Sequence, residues 1–351
     1  MREVKIGMTD QQWKTLVAVV RGEEISPLPT AFIIDSPWLP NWAGHTILDY
    51  FTDERVFLND NLKAICTFPE AIFLPGFWSE FGMCTEPSAF GAVSVWGENE
   101  FPFARKVLNS PSEVERLERP DPRKHGLLPF VIKRLKHLQP EIEKAGHKIR
   151  FAVARGPLNI ASFLMGAPEF MEALKTDPEL MHHMLAMITD FLVDWIAVQR
   201  EAFPSIDGIF LLDDIVGFVS RRDFETFGLP YLQRAFNADV SVKFFHNDAP
   251  SKASAPLLET AGINLLNFGM QYKLVEMKVW TNNRIALMGN IPPRDVLAEG
   301  TPDDVKRSVN EMLNALDDRS RLIVSCGGGM PPHAPTENIQ ALISTVAEVT
   351  G

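Results

Sequence analysis

Three side chains far apart in the chain have the makings of a metal site. His246 and Asp248 flank one residue in the segment FFHND, and Cys326 closes the apolar run RLIVSC. A neutral imidazole, a thiolate and a carboxylate together suit Zn²⁺, and three protein ligands leave one position open for catalysis. Glu80 and Cys84 are both candidates for a further ligand, and the sequence does not choose between them. The structural alternative makes Cys326 a small buried hydrophobe and His246 a hydrogen-bonded core residue. Asp213 and Asp214 follow an apolar run directly, so their side chains point to opposite faces of a strand end. One is then placed to act as an acid, a base or a support for the metal ligands. The alternative for the pair is a helix N-cap or a loop salt bridge. Trp38, Trp42, Phe77, Trp78 and Phe81, with Met83 beside them, cluster early in the chain. They form either one wall of a flat-sided pocket for a planar substrate or a hydrophobic plug. Gly327, Gly328 and Gly329 let backbone approach a ligand closely, but the Lys-Ser/Thr of a phosphate loop is missing.

Positioning these groups requires elements that bring them together. Eight short apolar runs read as buried parallel strands, which show continuous apolar sequence without alternation. They lie at 31–35 (AFIID), 71–75 (AIFLP), 150–154 (RFAVA), 208–213 (GIFLLD), 242–246 (VKFFH), 264–268 (NLLNF), 284–289 (RIALMG) and 321–326 (RLIVSC). Helical stretches separate most of them, at 128–145, 178–202, 221–237, 253–261 and 302–316. Thr9 with Gln12 has the capping-box spacing and opens an N-terminal helix before the first strand. Ser220 with Asp223, and Thr301 with Pro302, mark other helix starts, and Thr336 starts the last helix. This order predicts an α/β fold: a single (β/α)₈ barrel domain over residues 1–351, with an N-terminal helical extension. The stretch 77–121 is too long for an ordinary connection and is read as an insertion after the second strand, with a hairpin or lid in GAVSVWG and FPFARKV. An open doubly wound sheet is the competing fold, weakened because no Gly-rich dinucleotide fingerprint follows any strand. In a barrel the strand ends meet at one face. There Asp35, Glu80, Arg155, Asp213, Asp214, His246, Asn247, Asp248, Asn267, Asn290 and Cys326 would converge.

Composition narrows the classes further. The 351 residues carry a net charge of −11, which disfavours nucleic acid and anionic membranes as partners. Three cysteines argue against a disulfide framework and for a reducing, cytoplasmic setting. The N-terminus lacks a secretory pattern, and no apolar run reaches the length of a membrane span.

The C-terminal third, FFHND…LLETAGINLLNF…IALMGNIPPRDVLAEGTPDDV…LIVSCGGGMPPHAPTENIQA, resembles the uroporphyrinogen decarboxylase superfamily, closest to its cobalamin-dependent methyltransferases. LPGFWSEFGMCTEPSAFG is similar to the family near the front. The decarboxylases hold substrate carboxylates with an Arg-rich segment after the first strand; here IIDSPWLPNWAGHT has no arginine. The thiol-directed methyltransferases bind zinc through a His-x-Cys pair and a distant Cys. The resemblance assigns the metal to His246, Asp248 and Cys326, with Asp248 in place of the middle Cys, which leaves a harder metal suited to an oxygen substrate. It therefore implies zinc-assisted O-demethylation of a methoxylated aromatic of the veratrol or vanillate type, with the methyl group passing to the Co(I) corrinoid of a partner protein. A phenolate whose conjugate acid has a pKa of about 10 leaves badly unless zinc or a protonated carboxyl neutralises the oxyanion. Asp213, Asp214 or Glu80 would supply the proton; Trp38, Trp42, Phe77, Trp78, Met83 and Asn290 would bind the donor. Alternatives are a methylcobalamin:thiol methyltransferase of the coenzyme M type, a metal-free decarboxylase-like lyase, and a non-catalytic corrinoid- or metabolite-binding protein. Oligomeric state is left open, with a homodimer as one outcome.

Overall fold

The computed structural model describes residues 8–34 and 37–351; Asp35, one of the strand-end carboxylates, lies outside the described residues. The strands are β1 (Ala31–Ile33), β2 (Ile72–Leu74), β3 (Ser94–Val95), β4 (Phe103–Ala104), β5 (Phe151–Arg155), β6 (Gly208–Leu212), β7 (Val242–Asn247), β8 (Leu265–Phe268), β9 (Ala286–Ile291) and β10 (Leu322–Cys326). All eight expected strands are present and parallel, within a residue or two of their expected bounds. β5 to β10 form one sheet in sequence order, and β1 pairs with β2. A single bridge, Thr30 to Val324, joins the β1 side to β10. Among the described residues no strand ladder joins β2 to β5, so hydrogen bonds do not close the barrel.

Each of the eight parallel strands is buried on both faces, and alternate residues enter two separate cores. Phe151, Val153, Phe210, Leu212, Val242, Phe244, Leu265, Met288 and Ile323 pack inside the ring of strands. Ala152, Leu211, Phe245, Leu266, Leu287, Val324 and Cys326 pack outside it, against the helices. Parallel strands covered by helices need apolar residues on both faces, which is why these runs show no polar alternation.

The N-terminal helix Asp10–Arg21 has the expected capping box at Thr9 and Gln12. It sends Trp13, Leu16, Val19 and Val20 into the inner core. Trp13 meets Phe151 edge-on at 5.4 Å, beside the start of the strands. The helix thus stops one end of the ring and leaves the C-terminal end for the site. The insertion after β2 contains the expected hairpin, β3 paired antiparallel with β4. The expected helix at 253–261 is instead two 3-10 turns, Ala255–Leu257 and Glu259–Ala261.

The helix Pro178–Ala202 is long and apolar enough by length and composition to cross a membrane. Its apolar face, including Met184, Ile188, Phe191 and Trp195, packs in the core. Gln199 on this helix faces the open edge of β5. Its amide donates to Val153 O and accepts from Val153 N, both at 2.9 Å, replacing the missing neighbour strand.

Candidate functional site

His246 continues the inward alternation of Val242 and Phe244, which carries its ring past the end of the inner core to the mouth. The ring is buried, with Phe210 beneath it at 6.5 Å between centroids. Asn267, its register partner on β8, accepts from Nδ1 at 2.8 Å. The Asn267 amide nitrogen donates to Met288 O at 3.0 Å, which leaves only its oxygen for the imidazole. Nδ1 therefore carries a hydrogen, and Nε2 turns to the mouth. There it lies 3.6 Å from Asp248 Oδ2 and 3.9 Å from Asp214 Oδ1. Burial works to lower the His246 pKa, but Asp248, Asp214 and Asn267 outweigh it and hold the imidazole above its ordinary value. Burial also raises the Asp248 carboxyl, opposed by His246.

The adjacent carboxylates divide as their geometry requires. Asp213 is fully buried, and its Oδ2 accepts from Leu158 N at 2.9 Å, near the start of the helix Pro157–Met165. It caps that helix from outside, the structural alternative for this residue, and does not open into the mouth. Burial pushes its carboxyl well above the usual range. Asp214 is half-exposed at the mouth and accepts from Asp248 N at 2.7 Å. Of the pair, only Asp214 is placed beside His246.

The thiol is not where the ligand set needs it. Cys326 shares the outward parity of Leu322 and Val324, is fully buried in the outer core, and directs Sγ to Gly329 O at 3.6 Å. The residue facing Asp248 is Gly328: a Cβ added there would meet Asp248 Oδ1 at 2.4 Å. Cys84 is also buried, with its thiol against Ser94 and the β3 backbone. Among the described residues no three His, Cys, Asp or Glu side chains form a metal-holding group. An imidazole and two carboxylates converge without a thiolate, so the set His246, Asp248 and Cys326 does not fit the expected zinc site.

The aromatic wall is also revised. Trp38 is fully buried in the outer core, stacked on Trp42 at 4.9 Å, with its indole donating to Ala334 O. Trp42 donates to Thr336 Oγ1, and Phe77 packs edge-on against His147. These three tie the first connections to the scaffold and present no ring to His246. Trp78 alone of the group packs on the inner core, 5.8 Å from Phe210. Met83 is half-buried and joins neither core. Glu80 is held at 2.5 Å by Arg155, whose guanidinium lies over Trp78 at 5.4 Å. Asn290 donates to Tyr272 O at 2.7 Å, so its amide braces the loop after β8.

The mouth is thus lined by His246, Asp214, Asp248, Asn267, Trp78 and the Glu80–Arg155 pair. Among the described strand ends, Arg155 is the only lysine or arginine, and Glu80 neutralises it. Sequence reasoning missed Glu86, which is fully buried behind this pair, and Gln199 at the β5 edge. Glu86 lies in the family-like segment LPGFWSEFGMCTEPSAFG, which drew notice for its aromatics, Glu80 and Cys84, and Gln199 is one polar residue in an otherwise apolar helix.

Residues 13–349 match the family described as Uroporphyrinogen decarboxylase (URO-D). A uroporphyrinogen decarboxylase from Psychromonas ingrahamii is 23% identical over 280 residues, covering 76% of each chain. One from Syntrophotalea carbinolica is 27% identical over 271 residues, covering 74% of this chain and 76% of the relative. In fold, a methyltransferase from Methanosarcina mazei superposes with a TM-score of 0.81 at 21% identity, over 96% of this chain and 98% of that one. A B12-independent methionine synthase from Shewanella sp. W3-18-1 gives 0.60 at 14% identity, over 92% and 97%.

Proposed function

The chain belongs to the uroporphyrinogen decarboxylase family, and on that premise we propose that it is a methyltransferase that removes a methyl group from the oxygen of an uncharged methoxylated aromatic, with His246 as the acid. The observation that carries this is the orientation of His246: Asn267 fixes Nδ1, and Nε2 faces the mouth between Asp214 and Asp248. Those carboxylates stabilise the protonated ring. A reduced corrinoid on a separate protein serves as the methyl acceptor and supplies the electron pair for the new bond to carbon. The C–O bond breaks, its pair stays on oxygen, and His246 Nε2 delivers a proton there, so the poor leaving group departs as a neutral phenol. No zinc is needed for this step, because the imidazolium meets the charge that the metal was expected to neutralise.

Charge narrows the donor. Among the described residues, the mouth presents the carboxylates of Asp214 and Asp248 and one imidazole, while Arg155 is occupied by Glu80. A carboxylated donor of the vanillate type would meet repulsion with no free cation among the described residues to offset it; a neutral veratrol-type ether would not. The same argument opposes the decarboxylase activity that the relatives' names carry, since a polycarboxylate substrate needs several cations. Without a pair of thiolates, activation of a thiol acceptor lacks its metal site.

The test compares neutral and carboxylated aryl methyl ethers, with chemically reduced cobalamin as acceptor and phenol release as readout. The expected outcome is turnover of the neutral ether, a rate that falls as pH rises past the elevated His246 pKa, and activity that survives chelation. Phenol release unchanged in His246→Ala would sink the reading.

A further inference from the structure

Behind the mouth, the unpaired seam between β2 and β5 encloses a cavity of about 20 Å³, lined by Trp78, Glu80, Thr85, Glu86, Trp195 and Gln199, among others. That volume admits one water molecule. Two polar groups on its wall are set inward: Glu86 and Trp195 are each 1% exposed. By geometry, neither Glu86 Oε2 nor Trp195 Nε1 has a protein hydrogen-bond partner. Yet the indole and the guanidinium lie close enough to act on the Glu86 carboxyl. One acceptor and one donor on the wall of a single-water space supply the two partners that a buried water needs.

We propose that this seam is a built water site, in which one ordered water joins the Glu86 carboxyl to the Trp195 N–H group, making Glu86 a positioning residue for the neighbouring Arg155–Glu80 pair. Arg155 also covers Trp78, so the arrangement reaches the wall of the mouth. Burial pushes the Glu86 carboxyl up to about 7, against the pull of Arg155 and the Trp195 indole. The charged groups facing it are Arg155 and, across the cavity, Glu80. The helices Leu128–Lys144 and Pro178–Ala202 line the cavity with Val131, Leu135, Trp195 and Gln199, all uncharged. When Glu86 ionises, Arg155 faces two carboxylates, and its hold on Glu80 and its cover of Trp78 change together.

A crystal structure of the full chain, at a resolution that places ordered water, tests the site directly. The expected result is one water within hydrogen-bond reach of Glu86 Oε2 and Trp195 Nε1, lost or displaced in Trp195→Phe. A direct Glu86–Trp195 bond with no water overturns it. The positioning role is read separately from the pH dependence of Trp78 fluorescence, taken as the difference between the full chain and its Trp78→Phe variant. A transition near neutral pH is expected, abolished in Glu86→Gln and retained in Glu86→Asp. Should Glu86→Gln fail to fold, Trp195→Phe takes its place and must shift the transition. A transition that ignores these substitutions overturns the role.

Discussion

Asn267 and His246 form the smallest unit on which the proposed chemistry depends. Loss of a general acid costs about 10²–10⁴-fold, so His246→Ala should lower kcat for phenol release by that order. Asn267→Ala leaves the acid but frees its ring, and should lower kcat less, with a shifted pH profile that a purely structural role would not produce. Gly328 supplies a second check. A Cβ at this position collides with the Asp248 carboxylate, and its φ of 77° strains any L side chain. Gly328→Ala should therefore displace Asp248 and destabilise the fold by about 1–2 kcal/mol, measured by urea unfolding. The His246 position was legible because a polar residue ended an apolar run. The direction of Cys326 was not: both faces of β10 are buried, so LIVSC reads as continuous apolar sequence and hides which residues point inward. The side chain of Ser325, one residue earlier, is the one on the inward parity.

Elements were more legible than residues. Strand positions followed from apolar runs bounded by polar, Gly or Pro residues, and Thr9, Ser220 and Thr301 cap their helices as expected. The 253–261 segment failed as a helix because APLLETAG has too few residues for a stable turn series before Gly262, which takes a left-handed φ of 81°. The gap between β2 and β5 left no sequence signal beyond one glutamine in an apolar helix. Gln199→Ala would strand a buried N–H and a buried C=O on Val153 and should cost about 2–4 kcal/mol. Gln199→Glu, which accepts from Val153 N but when ionised cannot donate to Val153 O, should recover only part of the loss. Equal unfolding midpoints for the parent and Gln199→Ala would show that β5 does not rely on this helix.

At the scale of the whole molecule, stability should carry the signature of its buried acids. The Glu86 carboxyl has an ordinary value of 4.5 and is raised to about 7 by burial, so the folded chain binds its proton more tightly than the unfolded chain does. This group's contribution is fully present below pH 4.5, falls as pH rises towards 7, and is lost above it. At about 1.36 kcal/mol per unit, the difference amounts to roughly 3 kcal/mol. Glu86→Gln, which cannot ionise, should therefore gain relative stability between pH 5 and pH 8 in urea titrations. No change in the difference across that interval would show that the carboxyl is not buried as described. The N-terminal helix has a further consequence. With Trp13 and its neighbours filling the base, the described residues leave the ring its C-terminal mouth as the doorway. On the proposed function, a small methyl donor and a bulky protein-borne acceptor would share it, and the acceptor could not slip past to let the donor in. Turnover under that proposal is expected to be compulsory in order, donor first and phenol last, and excess acceptor should inhibit by shutting the door on an unladen enzyme.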